Sequence, residues 1–198
     1  MRKNIVVLLP VVLMLSITAL YSAGEKPEKK EIKPVLLVMD VQNIWIPRMA
    51  EEDRNSAPDT INESIALFRK FGHPVIRVYH SDPQHGPNPG TPPFEFPESI
   101  AVTSDDPKII KGHASAFTKT DLEAMLHKGD RNTVFLCGLS ATGCVLATYF
   151  GAMDREFNVL MIKDALLSHN ASYTDVIEDI CYSVSIEELG EILENPFQ

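Results

Sequence analysis

The 198-residue sequence has few cysteines and no concentration of basic residues, and each scarcity excludes a class of protein. Cys137, Cys144 and Cys181 are too few, and odd in number, for the disulfide framework of a small exported scaffold, so at least one thiol stays free. The chain carries 18 Lys plus Arg against 27 Asp plus Glu, a formal charge of −9. Nucleic-acid binders gain most of their affinity from clustered Lys and Arg, so we expect no nucleic-acid partner.

The sequence also lacks the common cofactor motifs. It contains no G-x-G-x-x-G, no G-x-x-x-x-G-K-[ST], no H-E-x-x-H and no paired C-x-x-C. We therefore expect a protein that works without an organic cofactor. The hydrophobic fraction of 44% is that of an ordinary globular domain, which makes one domain the default expectation.

One long apolar run is present, over residues 5–20. It follows Arg2 and Lys3 and precedes small residues, a pattern that predicts a signal peptide over 1–23 and export to a periplasmic or extracellular space. An uncleaved membrane anchor is the alternative, although a span normally needs ~20 apolar residues and Pro10 interrupts this run. Residues 24–33 alternate in charge, which predicts a flexible linker before a domain over 34–198. After signal removal we expect no membrane contact.

Predicted strands and helices alternate along the domain. The predicted strands are 35–39, 74–79, an apolar run ending at 110, 133–139, 158–162 and an edge strand at 182–186; the predicted helices are 56–71, 120–127, 142–157 and 173–180. Pro58 is expected in the first turn of its helix, and residues 120–123 form a capping-box pattern. The alternation predicts a three-layer α/β/α fold, Rossmann-like, with a mostly parallel central sheet. Ligands bind at the carboxyl ends of such strands.

Three residues with reactive side chains follow predicted strands. Asp40 ends the first strand, Lys111 follows an apolar pair, and Cys144 lies in a small-residue turn that opens a helix. A helix N-terminus favours thiolate over thiol, so Cys144 is the candidate nucleophile, whereas Cys137 and Cys181 are interpreted as packing residues. Taken singly, Asp40 could be a turn residue, Lys111 a solvated surface cation and Cys144 a buried thiol. Together they supply the nucleophile, acid/base and cation that acyl transfer requires.

Three segments in this order resemble the isochorismatase-like cysteine hydrolases, a family that includes nicotinamidases. They are 40–43 (Asp-Val-Gln-Asn), 111–117 (Lys-Gly-His-Ala-Ser-Ala-Phe) followed by 120–122 (Thr-Asp-Leu), and 138–145 (Gly-Leu-Ser-Ala-Thr-Gly-Cys-Val); the resemblance covers residues 34–193. It implies a catalytic triad of Asp40, Lys111 and Cys144. It also implies an oxyanion-binding turn formed by Leu139, Ser140 and Cys144, with a cis peptide bond between Leu139 and Ser140, and a homo-oligomer.

The resemblance implies a hydrolase that cleaves the C–N bond of a small amide through a thioester. For its substrate pocket we expect Gln42, Trp45, Tyr79 and Phe117. Two alternatives are an isochorismatase-type vinyl-ether hydrolase, which needs no cysteine nucleophile, and a catalytically silent binding protein that kept the fold. Ser140 suggests a serine hydrolase, but the G-x-S-x-G elbow needs glycine where this chain has Thr142.

A metal site is the remaining candidate in the loop after the second predicted strand. His80, Asp82 and His85 are nitrogen and oxygen ligands at short spacing, which can converge on one ion. Nicotinamidases bind a metal through an Asp-x-His arrangement, but here the order, His80-Ser81-Asp82, is reversed. We therefore expect no metal, and a substrate other than nicotinamide is favoured.

Overall fold

The computed structural model describes residues 31–196, so the predicted signal peptide and most of the predicted linker lie outside the described residues. The strands are β1 (Pro34–Met39), β2 (Val75–His80), β3 (Lys108–Lys111), β4 (Thr133–Leu139), β5 (Asn158–Leu167) and β6 (Ser183–Val184). The α-helices are α1 (Glu51–Lys70), α2 (Leu122–Lys128), α3 (Leu146–Met153), α4 (Ala171–Ile180) and α5 (Ile186–Glu194). A 3₁₀ turn at Ile46–Arg48 and a π turn at Ala141–Val145 precede α1 and α3.

The six strands form one sheet in the order β3-β2-β1-β4-β5-β6, and every neighbouring pair is parallel. Helices α2, α3 and α4 contribute apolar side chains to the core on one side of the sheet, and α1 and α5 to the core on the other. The predicted three-layer α/β/α fold is therefore confirmed. The strand order reverses between β1 and β4, and in such sheets the carboxyl ends at this point form a crevice.

The long helix α1 begins at Glu51, five residues before its predicted start, so Pro58 lies inside the helix instead of in its first turn. Tertiary contacts explain the earlier start. The N–H of Ala50, the N-cap residue, donates to the carbonyl of Ser168 (2.7 Å). The buried Asp53 carboxylate in turn accepts the N–H of Ser168 at 2.8 Å. The start of α1 is thus attached to the segment after β5.

The capping-box prediction at 120–123 is wrong. Helix α2 begins at Leu122, and the Thr120 hydroxyl accepts the Leu122 N–H at 3.3 Å while donating to the carbonyl of Ala116. Glu123 is held instead by an ion pair with Arg155 at 2.8 Å. A capping box does form at α5, where Ser185 and Glu188 bond reciprocally, and this helix was not predicted.

The two ends of the folded domain contact each other. The N–H of Ile32 donates to the carbonyl of Pro196 at 2.7 Å, and Ile32 is buried, so the folded part includes the last residues assigned to the linker.

Two other predicted elements differ from those of the structure. Strand β5 continues five residues beyond its predicted end at 162, and the predicted helix over 142–157 divides into the π turn and α3. None of the helices between residues 31 and 196 combines the length and apolar character needed to cross a bilayer.

Candidate active site

The three predicted reactive residues lie at the carboxyl ends of β1, β3 and β4. Asp40 follows β1, Lys111 is the last residue of β3, and Cys144 lies in the π turn after β4. Asp40 adopts a left-handed backbone conformation (φ 51°), while its N–H continues the ladder by donating to the carbonyl of Val78 at 2.8 Å. This turn at the end of the strand places the Asp40 side chain at the crevice of the sheet.

Gly138 allows β1 and β4 to approach each other near this crevice. Its φ is +108°, and a Cβ at this position would lie 2.2 Å from the carbonyl oxygen and 2.8 Å from the nitrogen of Met39. Any other residue would push apart the backbones that lead to Asp40 and to Cys144. The glycine in the 138–145 motif is therefore a packing requirement of the site.

The Lys111 ammonium is the centre of the cluster. Its Nζ lies 2.6 Å from Oδ2 of Asp40, donates to Sγ of Cys144 at 3.1 Å, and lies 3.4 Å from Nδ1 of His80. The side chains of Lys111 and Asp40 are almost fully buried (0% and 2% exposed). The Asp40 carboxylate is therefore paired with the Lys111 ammonium inside the protein, and one of its oxygens lies within 4.8 Å of the Cys144 sulfur.

The electrostatics of the cluster favour a thiol in the resting protein. Burial, followed by the Asp40 charge, raises the pKa of Cys144 to about 11 against the opposing effect of Lys111. This corrects the expectation of a thiolate stabilised by a helix N-terminus, because desolvation dominates. Burial also raises the pKa of Asp40, again opposed by Lys111, which makes Asp40 a stronger base than an exposed carboxylate.

A pocket of about 210 Å³ opens onto Asp40 and Cys144. Its remaining walls are Trp45, Met49, His80, Leu139 and Ser140. Trp45 is half-buried; the ring of His80 approaches it edge-on with centroids 6.2 Å apart, and the guanidinium carbon of Arg48 lies 4.9 Å from the ring centroid. Met49 was not identified from the sequence. The available signal was its position in the short segment between Asp40 and the first helix.

Of the four residues predicted to bind substrate, only Trp45 lines this pocket. Tyr79 is buried in the core between Phe94 and Phe96, with ring centroids at 4.9 and 4.4 Å. Phe117 is buried in the other core and stacks on Phe157. Both aromatic side chains serve the hydrophobic core, which was the competing interpretation of their apolar character.

Gln42, the fourth of these residues, is fully buried and bonded to the backbone. Its side-chain amide donates to the carbonyls of His80 (3.0 Å) and Phe94 (2.8 Å), and its oxygen accepts the N–H of His80 (2.9 Å). These bonds engage the Gln42 side chain with the protein's own backbone. Gln42 therefore positions His80 and does not line the pocket.

The candidate metal ligands after β2 do not converge. Asp82 and His85 pair with each other at 3.1 Å on the exposed loop, whereas the ring of His80 faces Lys111. Within residues 31–196, the one group with metal-like spacing is Asp40, His80 and Cys144, whose ligand atoms lie within 4.8 Å of one another. The Lys111 ammonium contacts all three, so a cation bound there would meet a buried positive charge. These residues do not fit a metal.

The predicted oxyanion turn follows β4. The peptide bond between Leu139 and Ser140 is cis, the isomer that the resemblance implies. The N–H groups of Gly143 and Val145 both donate to the carbonyl of Ser140, at 2.9 and 3.2 Å. Cys144 lies between them, so its position is fixed by the backbone bonds on either side. The Ser140 hydroxyl faces that of Thr142 at 3.4 Å.

The fold and the site define a three-layer α/β protein with a thiol, a carboxylate and an ammonium group at the switch point of its sheet. The Isochorismatase domain family matches residues 34–179. The uncharacterized isochorismatase family protein YecD of Escherichia coli O157:H7 is 30% identical over 176 residues, covering 78% of this chain and 93% of that protein. The chain belongs to the isochorismatase family, a family of hydrolases with some inactive members, which confirms the family assignment made from the sequence.

Two further similarities are to amide-cleaving proteins. The maleamate amidohydrolase of Pseudomonas putida is 32% identical over 77 residues, which is 39% of this chain and 36% of that protein. The crystal structure of N-carbamoylsarcosine amidase from Thermoplasma acidophilum is 27% identical with a TM-score of 0.67, covering 78% of this chain and 95% of that one.

Proposed function

We propose that this protein is a cysteine hydrolase that cleaves the C–N bond of a small amide through a thioester. The observation that carries the proposal is the Lys111 ammonium in contact with both the Asp40 carboxylate and the Cys144 thiol at the floor of a pocket. A nucleophile, a base and a positive charge are the groups that acyl transfer requires. The amide-cleaving relatives support the same chemistry.

In the proposed reaction Asp40 removes the proton from Cys144 as the sulfur attacks the carbonyl carbon. Because the thiol pKa is about 11, the transfer accompanies attack and does not precede it. Protonated Asp40 then donates to the leaving nitrogen, the C–N bond breaks, and a thioester and a free amine or ammonia result. Asp40 next takes a proton from water, which adds to the thioester; the carboxylic acid leaves and Cys144 recovers its proton.

The other groups of the site stabilise charge during these steps. Lys111 offsets the negative charge as it moves from Asp40 to the sulfur and then to the substrate oxygen. We assign the binding of that oxygen to the turn of Leu139, Ser140 and Cys144, through the backbone N–H of Cys144. The bonds that Gly143 and Val145 make to the Ser140 carbonyl support this role, because they hold the turn rigid on both sides of Cys144.

The test is the release of ammonia by the purified chain from a panel of small amides. Cys144→Ala should abolish release, whereas Cys181→Ala, which removes another free thiol of the chain, should not. A vinyl-ether hydrolase would act on isochorismate and keep its activity in Cys144→Ala. A silent binding protein would release nothing from any amide.

We propose that the chain forms a homo-oligomer through a surface that we call the α3–α4 patch. It consists of six large apolar side chains, each 45–73% exposed: Phe150, Met153, Tyr173, Val176, Ile180 and Tyr182. At roughly 100 Å² each, they offer roughly 600 Å², most of the ~800 Å² per partner of a standard interface. Light scattering should give a smaller particle for Ile180→Glu than for Ile110→Glu, which alters an exposed isoleucine on the edge strand β3.

We propose that the protein is exported after cleavage of residues 1–23. The basic start, the apolar run and the small residues that follow support this proposal. Mass spectrometry of the chain recovered from the export compartment should find an N-terminus near Gly24. An intact N-terminus that partitions with membranes would support the anchored alternative.

A further inference from the structure

We propose that the pocket selects an amide with a small, uncharged, apolar acyl group and disfavours amides that carry a carboxylate. The inference rests on the amide hydrolysis proposed above and concerns the substrate class. It follows from the side chains that line the pocket and from the charges near it.

The walls around the reactive groups are mainly hydrocarbon. Trp45, Met49 and Leu139 provide the apolar surface, and the pocket is small, at about 210 Å³. Pockets for drug-sized ligands are ~300–1,000 Å³. An acyl group of one small ring or a short branched chain is therefore the size that the pocket suits.

The charges at the floor of the pocket compensate one another. Lys111 contacts the reactive thiol, but its charge is paired with Asp40 at 2.6 Å. His80, the remaining basic side chain of the wall, is neutral at neutral pH because burial and the neighbouring Lys111 lower its pKa. Among residues 31–196, the pocket lining therefore contains no uncompensated cation that would pair with the carboxylate of a substrate.

Arg48 is the nearest alternative partner for an anion. Its guanidinium stacks on Trp45 at 4.9 Å, but Arg48 is exposed and is not part of the pocket lining. A carboxylate seated against Trp45 and Met49 would lose its hydration without gaining a buried cation, which is costly. An apolar group in the same place gains from leaving water.

The first test compares two amides of matched shape. In 4-methylpentanamide an isopropyl group replaces the carboxylate of succinamate, so the pair differs mainly in charge. The native chain should have a kcat/KM at least tenfold higher for 4-methylpentanamide. Equal values, or a preference for succinamate, would overturn the inference while leaving amide hydrolysis intact. A succinamate preference that disappears in Arg48→Gln would assign anion binding to Arg48.

A charge placed in the wall should reverse the preference. Met49→Lys should shift the ratio of the two kcat/KM values at least tenfold towards succinamate, whereas the uncharged control Met49→Gln should shift it much less. The same shift in both variants would show that the polarity or shape of residue 49 governs the ratio, which contradicts selection by charge.

A second readout does not depend on hydrolysis. Iodoacetamide and iodoacetate are similar in shape but differ in charge, and both alkylate thiols. The ratio of the iodoacetamide rate to the iodoacetate rate should be at least several-fold higher at Cys144 than at free cysteine in solution. A high ratio without hydrolysis of any amide would leave the pocket selection standing and reject the proposed function. Equal ratios at both thiols would reject the selection.

Discussion

The side chain of Gln42 bonds both the N–H and the carbonyl of His80, at 2.9 and 3.0 Å. This pair of bonds joins the segment after β1 to the last residue of β2. Because the ring of His80 faces Lys111 and lines the pocket, the position of the site depends on an amide that contacts no reacting group.

Replacing Gln42 with leucine should therefore lower both stability and turnover. Three buried or half-buried backbone groups, on His80 and Phe94, would lose their partner, at a cost of about 1–3 kcal/mol each when water cannot replace it. Urea unfolding and kcat measure the two effects. Asn43→Ala is the control, because its exposed amide donates to the carbonyl of Pro92, and this change should cost less than about 1 kcal/mol.

Gly138→Ala should destabilise the protein by about 3 kcal/mol or more, because the added methyl would overlap the backbone of Met39 and φ is positive. Gly190→Ala is the matched control. Gly190 lies in α5 with nothing within 4 Å of an added Cβ, so alanine should stabilise the helix by about 0.5–1 kcal/mol. Opposite shifts of the urea midpoint are expected. Similar midpoints for the two variants would show that β1 and β4 can separate without cost.

The sequence was sufficient to predict a mostly parallel sheet whose strands alternate with helices along the chain, and the meeting of Asp40, Lys111 and Cys144 at its carboxyl edge. Buried parallel strands are continuous apolar runs, and their carboxyl ends lie at one edge, so a polar residue after each run is an informative signal. The prediction needed no knowledge of contacts between distant elements.

The pocket could not be predicted in the same way, because an aromatic side chain suits a core as well as a ligand. Tyr79 and Phe117 belong to the core, while Met49 lines the pocket without any distinguishing pattern. The start of α1 and the pKa of Cys144 were also missed. Both depend on distant groups, the segment after β5 in one case and the burial of the thiol in the other.

The Asp40→Asn variant should change the thiol and the turnover in opposite directions. The Asp40 carboxylate raises the pKa of Cys144, and without it the unpaired Lys111 charge would lower that pKa from about 11. Alkylation of Cys144 by iodoacetamide at neutral pH should become faster. The rate of amide hydrolysis should fall at least about 100-fold, because no general base remains to accept the thiol proton. Asp82→Asn, on the loop after β2, should change neither rate. An unaltered alkylation profile in Asp40→Asn would contradict the electrostatic coupling.

Because the pKa of Glu178 is raised in the folded protein, we expect the protein to lose stability as pH rises. Burial raises its pKa to about 7 in the folded protein, against 4.5 for the ordinary group. The folded state therefore binds the proton more tightly, and this contribution is full below about pH 4.5 and is lost as pH rises through about 7. Thermal unfolding temperatures at pH 5.5 and pH 8 measure the effect.

Glu178→Gln removes the titration and can keep the bond from the N–H of Asp164, which the side-chain oxygen accepts at 3.0 Å. The difference between the two unfolding temperatures should be smaller in this variant than in the native chain. An equal difference in both proteins would assign the pH dependence to other groups.

Two of the three apolar side chains that line the pocket belong to a different part of the chain from the nucleophile. Trp45 and Met49 lie in the short connection between β1 and α1, whereas Lys111 and Cys144 come from β3 and from the turn after β4. Substitutions in that connection can therefore change which molecules enter without moving the nucleophile. The residues that select the substrate can therefore evolve separately from the residues that react with it. Related chains with the same reacting groups can in this way come to act on different substrates.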